Sequence, residues 1–353
     1  MCLLGPLDKS FRILSLLVVI ASILTTSSAL AHEGWGIVVN ADGEIYVADI
    51  PADVIWKISK EGKVEKVAKR KHSHALVLDS AGNLYGTNPH FTLPIRTVWR
   101  LTPDGQLTDV IPPSENFPLG LQSFFMDELG NMYSVGARKP GPPELLLLKR
   151  SPAGEIISLA GSTKGHADGH GSEAKFMGID GIAWGPDGDL FITDGPYVRR
   201  VTRDGVVTTI AGPLTEPVWE EDLSGIAVDT NGGIFVADFA QRRILKITSA
   251  GAVNTFLHTG PFWTPTGVTV GPDGVYILEH LRLPLGILGE LEVGPYLRVR
   301  KVSLAHEVTE LTRLWGRWTG AAAAGLAVMV GLIVLLVVGR KAKRPNRPPA
   351  AVA

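Results

Sequence analysis

The sequence predicts an all-β fold, a six-bladed β-propeller followed by a C-terminal transmembrane helix. Three observations predict it. One phrase recurs six times, as ADGEIYVAD, SAGNLYGTN, ELGNMYSVG, PDGDLFITD, TNGGIFVAD and the shorter PDGVYILEH. Each copy is flanked by short apolar runs of strand character. Near the C-terminus, 20 residues from Thr319 to Val338 carry no charge.

The repeats come first in the argument, because a period of this length dictates the architecture. Their turn glycines are Gly43, Gly82, Gly130, Gly188, Gly232 and Gly274. A strand such as GIVV, HALVL, GIAW or GVTV precedes each copy, so each unit opens with a hairpin closed at an Asp/Asn-Gly type of turn. A second strand pair follows, for example VIWKISKEGKVEKV and RILKITSAGAVNTF; the sixth, LRVRKVSLAHEVTEL, lacks its glycine. A four-stranded unit cannot bury both of its faces alone. Radial stacking solves this, whereas immunoglobulin-like modules are about twice as long and lack the internal period.

The ends of the chain set its topology. Lys9 and Arg12 precede the apolar run Ile13 to Leu24, and Ala29-Leu30-Ala31 supplies small residues for a signal peptidase. An uncleaved anchor is the alternative reading of this segment. The uncharged stretch from Thr319 is about 30 Å long as a helix, the thickness of a hydrocarbon core. Trp315 and Trp318 stand before it, and Arg340, Lys341, Lys343, Arg344 and Arg347 follow it. That basic flank places the tail in the cytoplasm and argues against a lipid-anchor signal. The expected organisation is a signal peptide over 1–31, the propeller over 32–311, a juxtamembrane linker over 312–318, the transmembrane helix over 319–339, and a basic, proline-rich tail over 340–353. The propeller is thus expected outside the cytoplasm, periplasmic or extracellular.

Charge supports the division. The whole chain has a net charge of −1, yet residues 32–339 hold 27 basic and 34 acidic side chains. An acidic exported body argues against a nucleic-acid partner. The chain's one cysteine, Cys2, lies in the leader, so no disulfide framework and no cysteine nucleophile are expected. No G-x-S-x-G elbow occurs either.

The stretch GIAVDTNGGIFVADFAQRRILKITSAG, Gly225 to Gly251, resembles the NHL-repeat family of six-bladed propellers. GHADGHGSEAKF, Gly165 to Phe176, resembles that family's linker, so His166, Asp168 and His170 read as a turn rather than as an H-x-D-x-H metal motif. The resemblance implies a fold and no single activity, since propellers of this kind host lyases, lactonases, scaffolds and sensors.

In a propeller the innermost strands line the central channel, and counting eight residues back from each turn glycine nominates a ring. It consists of Trp35, His74, Gln122, Asp180, Ser224 and Thr266. Polar residues at five of the six places make the ring a candidate ligand site. HEGWGIVV also resembles the opening of the senescence marker protein/gluconolactonase family, in which a glutamate and a channel aspartate hold a divalent cation. The resemblance implies Glu33 and Asp180 as metal ligands, with His74 at an equivalent place. Oxygen ligands suit calcium and a histidine suits zinc. The family's two asparagine ligands have no match here. Two functions follow as expectations: a module binding a small molecule or a protein at the channel face, or a metal-dependent lactonase or related hydrolase with Asp180 as ligand or base.

Three longer connections, Asn88 to Arg96, Gly136 to Glu144 and His280 to Pro295, are expected to project from the channel face. The last is leucine-rich and reads as a lid, a docking patch, a segment resting on the bilayer or a self-packed loop.

Overall fold

The structure is a computed structural model and describes residues 36–50, 52–89, 96–114, 117, 124–136, 144–214, 223–284, 290–303 and 305–315. Each repeat becomes one antiparallel sheet of sequential strands, and the six sheets are the blades of a propeller. Blade 1 holds β1 (Ile37–Val39), β2 (Ile45–Asp49), β3 (Val54–Ile58) and β4 (Val64–Lys69). Blade 2 holds β5 (Leu76–Leu78), β6 (Leu84–Pro89), β7 (Arg96–Leu101) and β8 (Leu107–Ser114). Blade 3 holds β9 (Phe124–Met126), β10 (Met132–Gly136), β11 (Glu144–Arg150) and β12 (Ile156–Thr163). Blade 4 adds a fifth, outermost strand: β13 (Gly169–His170) pairs with β17 (Val206–Ala211), outside β14 (Ile179–Trp184), β15 (Leu190–Asp194) and β16 (Tyr197–Val201). Blade 5 holds β18 (Leu223–Val228), β19 (Ile234–Asp238), β20 (Arg243–Ile247) and β21 (Val253–His258). Blade 6 holds β22 (Trp263–Gly271), β23 (Gly274–Pro284), β24 (Glu290–Ser303) and β25 (Val308–Trp315).

Local chemistry explains why each hairpin closes where it does. In the first hairpin the side-chain oxygens of Asn40, Asp79, Asp127 and Asp229 accept N–H groups two and four residues on. These are Asx turns. Gly43, Gly82, Gly130, Gly188 and Gly232 then take a left-handed conformation. The sixth copy departs. Lacking one residue, it pairs Gly271 directly with Gly274, and Gly274 is a strand residue instead of the turn glycine the repeat predicts. In the second hairpin of every blade a hydroxyl takes over: Ser59, Thr102, Ser151, Thr202, Thr248 and Ser303 each accept the N–H four residues on. The third residue of that turn is left-handed each time, a glycine in five blades and His306, at φ 62°, in the sixth.

Among the described residues the buried apolar side chains form six clusters, one between each pair of neighbouring blades. The cluster that closes the ring packs Ile37, Val47 and Ile58 of blade 1 against Tyr276, Leu278, Leu297, Val299 and Leu314 of blade 6. Each such aliphatic side chain contributes about 1.5 to 3 kcal/mol relative to exposure. Among the described residues no strand is exchanged between blades 1 and 6, and this apolar packing joins the two blades. Leu314 belongs to that cluster, and β25 accordingly runs to Trp315, four residues into the stretch read as a linker. Among the described residues no helix is long and apolar enough to cross a membrane. The leader, the expected span and the tail lie outside them.

The turn glycines separate backbone strain from crowding. Gly105 (φ 87°) has open space where a Cβ would stand, whereas at Gly205 (φ 91°) that atom would lie 2.3 Å from the carbonyl oxygen of Leu159. Gly105→Ala is expected to cost about 1 kcal/mol, the left-handed penalty alone. Gly205→Ala is expected to cost about 3 kcal/mol, with overpacking added. Denaturant unfolding of both variants checks this, and equal losses would show that the Leu159 contact relaxes freely.

Candidate functional site

The six innermost strands converge on the axis, and their approach is set by residues without side chains. A Cβ on Gly181 would stand 2.5 Å from the carbonyl oxygen of Ser224, and one on Gly225 would stand 2.7 Å from that of Thr266. In blades 4, 5 and 6 the register slips beside these glycines, between Ile179 and Ile182, Leu223 and Ile226, and Pro265 and Gly267. Such bulges let a strand turn into a crowded centre and re-aim the side chain at the slip. Thr193 ties two blades together there. Its hydroxyl accepts the Gly181 N–H at 2.7 Å and donates to the Ser224 carbonyl at 2.9 Å.

The strands enclose an axial cavity of about 220 Å³. Every blade contributes to its wall: Ile37 and Val38, Leu76, Phe125, Ile182 and Trp184, Ile226 and Val228, Val268 and Val270. Asp180, half-buried, is the one charged residue among those lining the cavity, whose exposed surface is more polar than apolar although most of its residues are apolar. Trp184 is held by Phe125, whose ring stacks at 6.1 Å, and by the Arg203 guanidinium 5.4 Å from its ring centre.

The residues nominated by counting back along the repeat have different fates. Asp180 lines the cavity. His74, Ser224 and Thr266 are buried, at 1–2% exposure, and do not line it. The Ser224 hydroxyl donates to the Ala237 carbonyl of the neighbouring strand at 3.4 Å. His74 packs 5.4 Å from His72, whose Nδ1 lies 3.0 Å from Asp53. Trp35, Gln122 and Glu33 lie outside the described residues. Among the described residues no three His, Cys, Asp or Glu side chains converge as a metal site requires. His74 and Asp180 therefore do not by themselves fit a divalent cation.

The His166–His170 segment has structural work. Arg199 is fully buried, and its guanidinium donates to Asp194 Oδ2 at 2.6 Å, to Asp168 Oδ1 at 2.8 Å and to the Ala167 carbonyl at 2.8 Å. His166 stacks on Tyr197 at 3.8 Å, and His170 Nε2 meets the Asp204 carbonyl at 2.9 Å.

Acids at the ends of the second strands form a further polar layer: Asp49, Asp194, Asp238 and, in blade 6, Glu279, all at most 1% exposed. Asp49 accepts the Ala52 N–H at 3.1 Å and the Trp56 indole N–H at 2.9 Å. Asp238 accepts the Gln241 N–H at 3.0 Å and Arg243 Nε at 2.7 Å. These two cap the turn after the strand. Asp194 and Asn88 instead reach back to their own blade's start, accepting the Met177 and Gly178 N–H groups and that of His72. Glu279 accepts from Arg298 Nε at 2.6 Å and Arg300 Nη2 at 2.5 Å. Burial raises the pKa of Asp49, Asp194 and Asp238 above the ordinary aspartate value, although their hydrogen bonds pull the other way.

A raised pKa in the fold carries a sign. The folded state holds the Asp49 proton more tightly than the unfolded chain does, so its contribution to stability is present below pH 3.8, the ordinary value, and is lost as pH rises through the folded pKa. Asp49→Asn abolishes this titration. The stability of that variant relative to the parent is expected to improve steadily as pH climbs from below 3.8, in unfolding curves measured across pH. A flat or opposite trend would contradict the raised value.

The fold has known counterparts. No protein-family model matches the chain, and no curated protein matches it. Among solved structures it is similar to a gluconolactonase from Xanthomonas campestris, at 16% identity and a TM-score of 0.53, over 76% of this chain and 86% of that one. A streptogramin B lyase is similar at 14% identity and a TM-score of 0.50, over 82% and 86%. A chain of a nidogen/laminin complex is similar at 13% identity and a TM-score of 0.52, over 77% and 93%. Two enzymes and a chain of a nidogen/laminin complex thus share one architecture with this chain, which is the six-bladed propeller that the repeats and their family resemblance imply.

Proposed function

We propose that the chain is an exported propeller, held at a membrane by the segment 319–338, that binds a small-molecule or protein ligand at its channel face. The observation that carries this reading is the axial cavity: about 220 Å³, walled by all six blades, with Asp180 among its lining residues and more polar than apolar surface exposed. Polar groups held at fixed points in a concavity orient a ligand. Such a wall favours a compact polar group bearing hydrogen-bond donors or a positive charge.

A second reading keeps the same carboxylate and makes the protein a lactonase or related hydrolase. What favours it is the half-buried Asp180 in the cavity, together with the similarity in fold to a gluconolactonase. In that reading a calcium or zinc ion would be held by Glu33, His74 and Asp180. The described members of that set do not make a metal site alone, so the binding reading stands first.

A ligand screen by thermal shift on the full chain tests the proposal, because anything that binds the folded state raises its apparent stability. The expected result is a ligand whose affinity falls about tenfold or more in Asp180→Asn, the loss of one hydrogen bond to a charged group. Unchanged affinity in that variant for every ligand found would take the cavity out of the reading. The hydrolase reading expects stoichiometric calcium or zinc in the purified chain and lactone turnover abolished by the same substitution.

A further inference from the structure

The cavity wall is polar although its residues are mostly apolar, and strand register explains why. In blades 1 to 5 the Asx residue, or Gly185 in blade 4, closes the first hairpin by donating its N–H to the carbonyl four residues on. Antiparallel pairs alternate between hydrogen-bonded and open places. The residue before each of these, Val39, Leu78, Met126, Trp184 and Val228, therefore turns its N–H and C=O away from the second strand and toward the axis. Two residues earlier the same holds for Ile37, Leu76, Phe124, Ile182 and Ile226, all of which line the cavity, as do Trp184 and Val228. The wall thus presents two tiers of main-chain donors and acceptors, and Asp180 stands two residues beyond the second tier.

The innermost strands begin on one face of the ring, here called the upper face, and run to the first hairpin turns on the lower face. Ile37, Leu76, Phe124 and Ile226 are buried, at 3–7% exposure. Val39, Leu78, Trp184 and Val228, two residues nearer the turns, are half-buried. Exposure rises toward the lower face, so that is where the cavity opens. From Trp184 to Asp180 is about 13 Å at the usual strand rise. At about 220 Å³ over that length the cavity is a slender shaft, with its carboxylate at the far end from the lower mouth.

Charge at that mouth has one sign. The six first-hairpin turns, 40–44, 79–83, 127–131, 185–189, 229–233 and 271–274, contain nine acidic residues and no lysine, arginine or histidine. Among the described residues three of the nine are in ion pairs: Glu44 with Lys57, Asp189 with Arg200 and Asp273 with Lys301. Those bases stand on third strands, two strand spacings or about 10 Å farther from the axis. Arg203 reaches inward as well, but its guanidinium is engaged by the Gly188 carbonyl and the Trp184 ring. Acids inside and bases outside make a field that draws cations to the mouth.

We propose that the axial cavity takes small, unbranched aliphatic amines, which enter from the lower face and place an ammonium group at Asp180 and their remaining N–H donors on the tiers of main-chain carbonyls. The cavity supplies the site, and the acidic turns steer the ligand to it. The proposal gives the ligand class of the binding reading above and rests on that reading, and its test separates the two. Putrescine, a diamine, and butanediol, its neutral counterpart, are titrated calorimetrically into the full chain. Putrescine is expected to bind about tenfold or more tightly than butanediol, and Asp180→Asn to remove that advantage. Asp42→Asn, Glu128→Gln and Asp187→Asn together, all at exposed side chains, are expected to slow putrescine association several-fold at low salt. In chains carrying Cys2→Ser, a maleimide polymer on Asp187→Cys is expected to block binding, and the same polymer on Ala153→Cys, exposed in the second hairpin turn of blade 3, to leave it intact. Putrescine binding unchanged by Asp180→Asn, or by the polymer at position 187, would overturn the proposal. A chain that ignores putrescine but binds another ligand of the thermal-shift screen would overturn the amine class and leave the binding reading standing. A chain that binds nothing would overturn both.

Discussion

Everything in this molecule follows from the need of each blade to have two neighbours. A four-stranded sheet with apolar residues on both faces is covered only when another sheet lies on either side, and a linear stack always leaves two faces bare. The ring ends that problem, and the joint between blades 6 and 1 is where it ends. Among the described residues no strand crosses that joint, and the packing of Tyr276, Leu278 and Leu297 on Ile37, Val47 and Ile58 carries the closure. Closure in turn drives six innermost strands together, so Gly181 and Gly225 stand where a methyl group would strike a neighbouring carbonyl. The cavity is what remains between the strands once they can approach no further.

The parts of this fold that were legible in the sequence are those whose chemistry is local. A glycine in the left-handed region and an Asx residue three places before it are a complete instruction for a hairpin, so four of the first turns could be read directly, and the fifth, with Gly185 in the Asx place, from its Gly188. The Ser/Thr of the second hairpin was as legible in principle, recurring three residues before a glycine, or before His306 in blade 6. The direction of the ring side chains was not. Counting back along a strand assumes unbroken alternation, and the slips at Asp180, Ser224 and Thr266 break it. The Ser224 hydroxyl is buried and donates to a strand carbonyl, whereas Asp180 is half-buried at the cavity. Thr193 gave no signal, because its partner is a carbonyl on another blade.

Blade 4 shows how a buried charge shapes the chain around it. Arg199 is fully enclosed, and an unpaired guanidinium there would be untenable. Asp194 satisfies one side; the other is met by segment 165–176, which folds across it, presents Asp168 and the Ala167 carbonyl, and sends β13 along the blade's outer edge. The residues that look most like a metal motif are thus engaged in completing a shell around a cation that belongs to the protein. Blade 6 solves the reverse problem with Arg298 and Arg300 around the buried Glu279.

The two faces of the propeller consequently carry different kinds of information. On the lower face, where the two hairpins of each blade turn, first hairpins close with five-residue turns in blades 1 to 5 and second hairpins with the same hydroxyl device in all six blades. The departures there are few: Gly185 in place of the Asx residue in blade 4, and the shorter first turn and His306 of blade 6. On the upper face, connections between second and third strands range from the two residues between Asp194 and Tyr197 to the long ribbon of blade 6. Turns are uniform where their task is only to reverse the chain, and connecting segments that differ on a fixed scaffold are where binding and catalysis usually reside. The bulged innermost strands, Asp180, the buried acids and the departure of β25 all lie toward that same upper face. Variation between blades is thus concentrated on one side of the ring, while the apolar clusters between the blades hold it together.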